Sequence, residues 1–128
     1  MAEGIPEREY LSIDECVNLT ESASERFDWE YRSGRQGMLN TESLSVNFKR
    51  VGFILEITRS GSGPALRYSL RIYERESGLV ISPPSMEDQN FTGVVKIVTA
   101  VRKIADVFER HRAQKVNDAL ADFRSKML

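Results

Sequence analysis

Residues 66 to 75, Leu-Arg-Tyr-Ser-Leu-Arg-Ile-Tyr-Glu-Arg, alternate between apolar and polar side chains along nearly their whole length. A side-chain period of two is the signature of a half-buried β-strand. Leu66, Tyr68, Leu70 and Ile72 then point to one face, while Arg67, Ser69, Arg71, Tyr73 and Arg75 point to the other. A core needs only the first face. Three arginines and a tyrosine along the second are either a solvated surface or a binding surface for an anionic polymer.

The same period appears upstream. Leu44, Val46 and Phe48 oppose Ser45, Asn47 and Lys49, and Phe53, Leu55 and Ile57 oppose Glu56 and Thr58. The segment Lys49 to Gly52 between them reads either as a turn or as a glycine bulge in one long strand. Ser60-Gly61-Ser62-Gly63-Pro64 breaks the run and makes a hairpin with the alternating strand, Ser77-Gly78 makes the next turn, and Leu79 to Ile81 is a short strand ended by Pro83-Pro84. Residues 44–82 are therefore expected to form a meander of three or four antiparallel strands.

Helical periodicity flanks the meander. Ser12-Ile13-Asp14-Glu15 fits a capping box. Behind it, Ile13, Cys16, Val17, Thr20, Ala23, Ser24 and Phe27 recur at three- and four-residue spacings, predicting a helix over 12–33 that stops by Ser33-Gly34. Its outer face carries Asp14, Glu21, Glu25 and Asp28, as a solvated helix face does. Ser85-Met86-Glu87-Asp88 reads as a second helix start, with acids where the helix dipole favours them. Val94, Ile97, Val98, Val101, Ile104, Ala105 and Phe108 follow as one apolar stripe, expected to lie across the apolar face of the sheet. After the polar run 109–115 the spacing resumes at Val116, Ala119, Leu120 and Phe123. A continuous helix over 85–126 would span ~60 Å against ~35 Å for a ten-residue strand, so it outruns the sheet. Either it bends near residues 109–112 into a kinked pair that packs on the first helix, or its distal half pairs with another copy in a homodimer. The expected fold class is α+β: an N-terminal helix, an antiparallel meander and a long C-terminal amphipathic helix packed on one sheet face.

A chain of 128 residues is expected to be one domain, able to bury roughly two thirds of its unfolded surface, with residues 1–11 flexible. Its single cysteine, Cys16, has no partner for an internal disulfide. There is no charged-then-apolar leader and no 18-residue apolar run. An intracellular, cytoplasmic protein with no membrane contact is the expectation. The formal net charge of −1 conceals a segregation. Residues 1–48 hold ten acids and four bases, residues 49–82 three acids and six bases, and residues 83–128 six acids and eight bases.

No residue pattern points to catalysis, to a metal or to a cofactor. His111, the single histidine, sits among Glu109, Arg110 and Arg112 and reads as a surface residue. Cys16 lies on the apolar stripe of the first helix and reads as a buried, inert thiol. The adjacent acids Asp14/Glu15 and Glu87/Asp88 are explained by their helix ends. Gly61-Ser62-Gly63 is too short for a phosphate loop. Asn90-Phe91-Thr92 matches a glycosylation sequon that has no meaning without export. The protein is expected not to be an enzyme.

The run Arg67-Tyr68-Ser69-Leu70-Arg71-Ile72-Tyr73, then Gly78-Leu79-Val80-Ile81-Ser82, then Glu87-Asp88 with apolar Phe91, Val94 and Val95, resembles the later half of the positive-coactivator and Whirly-type single-stranded-DNA-binding fold. The resemblance covers residues 44–108 and is one of topology and residue character. It implies a curved meander followed by a dimer-building amphipathic helix, with Lys49, Arg67, Arg71, Tyr73 and Arg75 on strand positions that meet phosphates and bases. Arg50 and Arg59 would extend the cationic row. Such a face can bind single-stranded DNA or RNA, cations tracking phosphates and an aromatic ring stacking a base. The alternative is a protein-interaction module: an adaptor, a chaperone-like dimer, an inhibitor or an immunity protein. It would use the acidic first helix, exposed Trp29 and Tyr31 at that helix's end, and the apolar stripe beyond Phe108.

Overall fold

A computed structural model of the chain describes residues 10–37, 39–63, 66–87 and 95–128. The expected flexible segment through residue 9, Pro64, Asp88, the sequon 90–92 with Phe91, and Val94 lie outside the described residues. The elements are helix α1 (Ile13–Arg26), strands β1 (Glu30–Gln36), β2 (Leu39–Phe48), β3 (Phe53–Ser60) and β4 (Arg67–Glu74), a 3₁₀ turn (Pro84–Met86), and helix α2 (Val95–Met127). The four strands form one antiparallel sheet in the order β1-β2-β3-β4. The fold is α+β, with α2 packed on the sheet and against α1.

The capping box is present: Ser12 Oγ accepts from the Glu15 amide at 3.1 Å, and the Ser12 amide donates to Glu15 Oε1 at 2.9 Å. The helix it starts is shorter than the predicted 12–33. Phe27 is already extended (φ −126°, ψ 149°), and the residues after it become β1. Residues 30–36 pair with an early part of β2 (Glu30 with Ser45 through Gln36 with Leu39), so the sheet begins at residue 30 rather than 44. Pairing across the hairpin with β2 satisfies the backbone of residues 30–36, and tertiary context overrides the weak helical signal.

That change moves two residues. Trp29 is buried (2 % exposed), not exposed as its predicted place at a helix end implied, whereas Tyr31 is 36 % exposed on β1. His111 is not a free surface residue either. Its Nε2 lies 2.8 Å from Ser24 Oγ in a hydrogen bond joining the two helices, and its ring packs on Trp29 with centroids 5.1 Å apart.

The segment 49–52 is a tight turn. The Val51 and Gly52 amides donate to the Phe48 carbonyl, and Gly52 takes φ +74°, which a side chain would resist. Residues 79–81 form no strand of their own. Val80 makes a single bridge to Tyr73, the Ile81 amide donates to the Ile72 carbonyl, and the Leu11 amide donates to the Ile81 carbonyl. This strap covers the outer edge of β4 and ties Leu11 to the core. Buried Ser82 belongs to it, its Oγ accepting from the Ile72 amide at 3.0 Å.

The core lies on one sheet face. Leu44 and Val46 of β2, Leu55 and Ile57 of β3, and Leu70 and Ile72 of β4 meet Cys16, Val17 and Ala23 of α1 and Ala100, Ile104, Val107 and Phe108 of α2. Each of these side chains fully removed from water contributes up to about 1.5–3 kcal/mol, according to size. Cys16 is fully buried, and burial, with Glu15 nearby, pushes its thiol up to about 12, which keeps it protonated and inert.

Candidate interaction surfaces

The strand register separates the cations that the sequence places in one row. Cross-strand partners share a face, so the uncovered side carries Arg67 opposite Ser60, Ser69 opposite Thr58, Arg71 opposite Glu56 and Tyr73 opposite Ile54. Ser45, Ser43 and Thr41 of β2 continue these rows. Arg71 stacks over the Tyr73 ring (4.9 Å to the centroid) and lies 3.7 Å from Glu56 and 4.0 Å from Glu87, so its charge is shared with two carboxylates. Arg67 is exposed at the other end of β4. Lys49 and Arg50 occupy the β2–β3 turn, and Arg75 joins them through its amide, which donates to the Gly52 carbonyl at 2.8 Å. Lys49, Arg50 and Arg75 thus gather at one end of the sheet, with Arg71 and Tyr73 leading away from them along β4.

Arg59 does not extend this row. It follows Leu55 and Ile57 on the covered face of β3, with its guanidinium 5.4 Å from the Phe108 centroid. There it joins a network that the sequence reading missed. Arg59 donates to Glu42 of β2 and, at 2.7 Å, to Glu109 of α2. Tyr31 also donates to Glu42, Arg112 Nε donates to Glu42 at 2.7 Å, and the Tyr68 hydroxyl donates to Glu109 at 2.6 Å. Burial raises the Glu42 carboxyl, but the hydrogen bonds from Tyr31, Arg112 and Arg59 outweigh it and hold the group down to about 2. Burial and the bond to Glu109 push Tyr68 up to about 12. Two carboxylates and two guanidiniums, mutually paired, fasten α2 across β2, β3 and β4. A signal for them existed: Glu42 precedes Leu44 and Val46, Arg59 follows Leu55 and Ile57, and Tyr68 precedes Leu70 and Ile72, each at the core-facing phase of its strand.

The third surface is the distal part of α2. The helix is one continuous element of 33 residues. Beyond Lys115 every residue is exposed. Val116, Leu120, Phe123 and Met127 are 41, 44, 57 and 66 % exposed, and their spacing of four, three and four sets them on one stripe. Asp118 and Asp122 lie off the stripe, bonded within the helix to Gln114 and Lys126. Around the β1–β2 hairpin is an open concavity of about 540 Å³ lined by Tyr31, Ser33, Gly34, Arg35, Asn40, Thr41 and Glu42.

Among the described residues no cluster of three or more histidine, cysteine or acidic side chains is placed to hold a metal ion, and no helix is long and apolar enough to cross a membrane. Comparison with protein families, with characterised proteins and with solved structures finds no match to this chain.

Proposed function

We propose that this protein is a non-enzymatic interaction module that engages another protein surface through the distal half of α2. The observation that carries this reading is the stripe Val116, Leu120, Phe123 and Met127, held in the open on a helix whose proximal half is anchored in the core. Scattered exposed apolar residues are ordinary, but a contiguous row on a rigid, projecting element is a surface suited to burial. Helix-mediated recognition uses anchors at this spacing. A photoreactive benzophenone side chain at Leu120 tests it. Illumination of the purified protein and of a cell extract containing it should give crosslinks from position 120 and not from Asp118 on the opposite side. A Leu120 probe that captures no polypeptide in either setting removes the reading.

A second reading, binding of single-stranded nucleic acid on the uncovered sheet face, is supported by the stack of Arg71 on Tyr73, with Arg67 on the same face and Lys49, Arg50 and Arg75 at its end. It agrees with the resemblance to the positive-coactivator and Whirly-type fold. It ranks second because Arg71 is shared with Glu56 and Glu87, Arg32 on the same face is paired with Glu30 at 2.7 Å, and Arg59 faces the core. Anisotropy of a labelled single strand at two salt concentrations tests it, since phosphate contacts release counterions and weaken steeply with salt.

A further inference from the structure

The side chains that α2 sends to the sheet show which way its distal half runs. Phe108 and Glu109 meet Tyr68 of β4 and Arg59 of β3, and Arg112 meets Glu42 of β2. The helix therefore crosses the sheet from β4 towards β1, and its exposed half overhangs the β1 edge. Among the described residues no strand pairs with that edge, whereas the opposite edge, β4, carries the strap at 79–81. An open edge strand is a row of unpaired amides and carbonyls, a template for another strand.

The orientation of the stripe agrees. At about 100° per residue, Phe123 lies about 20° and Val116 about 40° around the helix from Arg112, and the stripe centres on the azimuth of Glu109. Arg112, Glu109 and Phe108 are side chains that reach the sheet, with Phe108 about 90° around the helix from the stripe's centre. The distal stripe is thus turned obliquely, by about 45°, towards the plane of a sheet that ends at β1. It projects ~20 Å, about four interstrand spacings.

We infer that the occupant is a second copy of this chain, whose β1 pairs antiparallel with this β1 across a twofold axis, so that the distal α2 of each copy covers the β1–β2 hairpin of the other. This rests on the interaction reading above and names its partner. Three observations favour self-association. The hairpin concavity includes Tyr31, Ser33, Arg35 and Asn40, whose strand phase sets them on the sheet face that α2 covers, so the twofold brings the stripe to that part of the concavity. Pairing centred on Ser33 keeps side chains in phase and sets Tyr31 opposite Arg35 of the partner subunit and Arg32 opposite Gly34 of the partner subunit, with no like charges opposed. Stripe and strand together offer eleven residues a side, four from the helix and seven from β1, where the helix alone offers four.

The test uses the full chain. Sedimentation equilibrium should show a dimer at about 10 µM, and Phe123→Glu should weaken it at least ~100-fold while leaving the far-UV spectrum of the monomer unchanged. Ser33→Cys should form a covalent dimer on mild oxidation, because position 33 lies on the axis, whereas Ser77→Cys in the distant turn should not. The native thiol does not interfere, since Cys16 is fully buried. A wild-type monomer at about 100 µM overturns the inference, as does a dimer in which Ser33→Cys crosslinks no faster than Ser77→Cys. The benzophenone at Leu120 separates the two failures. Capture of a different protein by a chain that is monomeric alone overturns the second copy and leaves the interaction reading standing, and capture of nothing removes both.

Discussion

The proximal and distal halves of α2 are one uninterrupted helix with apolar residues at helical spacing in both, yet they behave as two different structures. Val101, Ile104, Val107 and Phe108 are at most 3 % exposed, whereas Val116, Leu120, Phe123 and Met127 are at least 41 % exposed. Composition does not separate them; the sheet does. Four strands at ~4.8 Å spacing cover about 20 Å of a helix ~50 Å long that crosses them, and α1 packs on the same half. The Glu42–Arg59–Glu109 network marks where cover ends, with Arg112 the last side chain seen to reach the sheet. An apolar stripe on a helix is thus a core only where another layer lies over it, and a candidate interface where none does.

The largest effect expected from this contrast comes from matched truncations of its two phenylalanines. Phe108→Ala should cost about 3–5 kcal/mol of unfolding free energy, while Phe123→Ala should change the monomer by no more than about 0.5 kcal/mol, both read by denaturant melts. Equal costs would erase the distinction. At the boundary, Glu42→Ala takes the carboxylate from Arg112 and Tyr31 and one of two from Arg59, which keeps Glu109, and should cost about 1–3 kcal/mol in the same melts.

The same carboxylate should be visible in acid. The folded Glu42 is held near 2 against an ordinary value of 4.5, so the folded state favours its charged form. Its contribution, on the order of 2 kcal/mol, is complete above pH ~4.5 and is lost as pH falls through ~2. Glu42→Gln should flatten that limb of the stability profile, and an unchanged limb would show that the network does not hold α2. A smaller effect of the same sense belongs to His111, which burial foremost, with Arg110 and Lys115 nearby, holds below its ordinary 6.5 despite the bond to Ser24. Its neutral form is favoured in the fold, so stability should decline by less than ~1 kcal/mol as pH falls through and below ~6.5. His111→Phe should remove that slope. The smallest effect is expected on the uncovered face: Arg67→Glu with Arg71→Glu should leave the melting temperature within a few degrees and abolish any salt-sensitive binding of single-stranded DNA. Normal DNA binding by that variant would exclude the strand face as its site.

Much of the architecture is legible in local periodicity. The capping box at Ser12, the period of two through Leu44 to Ile57 and 66 to 75, and the stripe Val101-Ile104-Phe108 each specify an element and its inward face, because such signals are carried by neighbours a few residues apart. Cys16 as a buried thiol and the acidic outer face of α1 follow from the same spacing. Residues 30–36 are different. Glu-Tyr-Arg-Ser-Gly-Arg-Gln has no apolar alternation, and it is a strand because β2 supplies its backbone partners. Arg59 and Arg71 look alike in the sequence, two arginines on neighbouring strands. Their local phase, Arg59 with Leu55 and Ile57 and Arg71 between Leu70 and Ile72, puts them on opposite faces, and only the tertiary structure brings Glu109 of α2 over Arg59. The sequence by itself determined which residues are apolar and with what period. The tertiary structure alone decided which apolar stripe is covered, which cations are neutralised and which sheet edge is left open, because these depend on how far one element reaches over another, and residues distant in the chain set that reach.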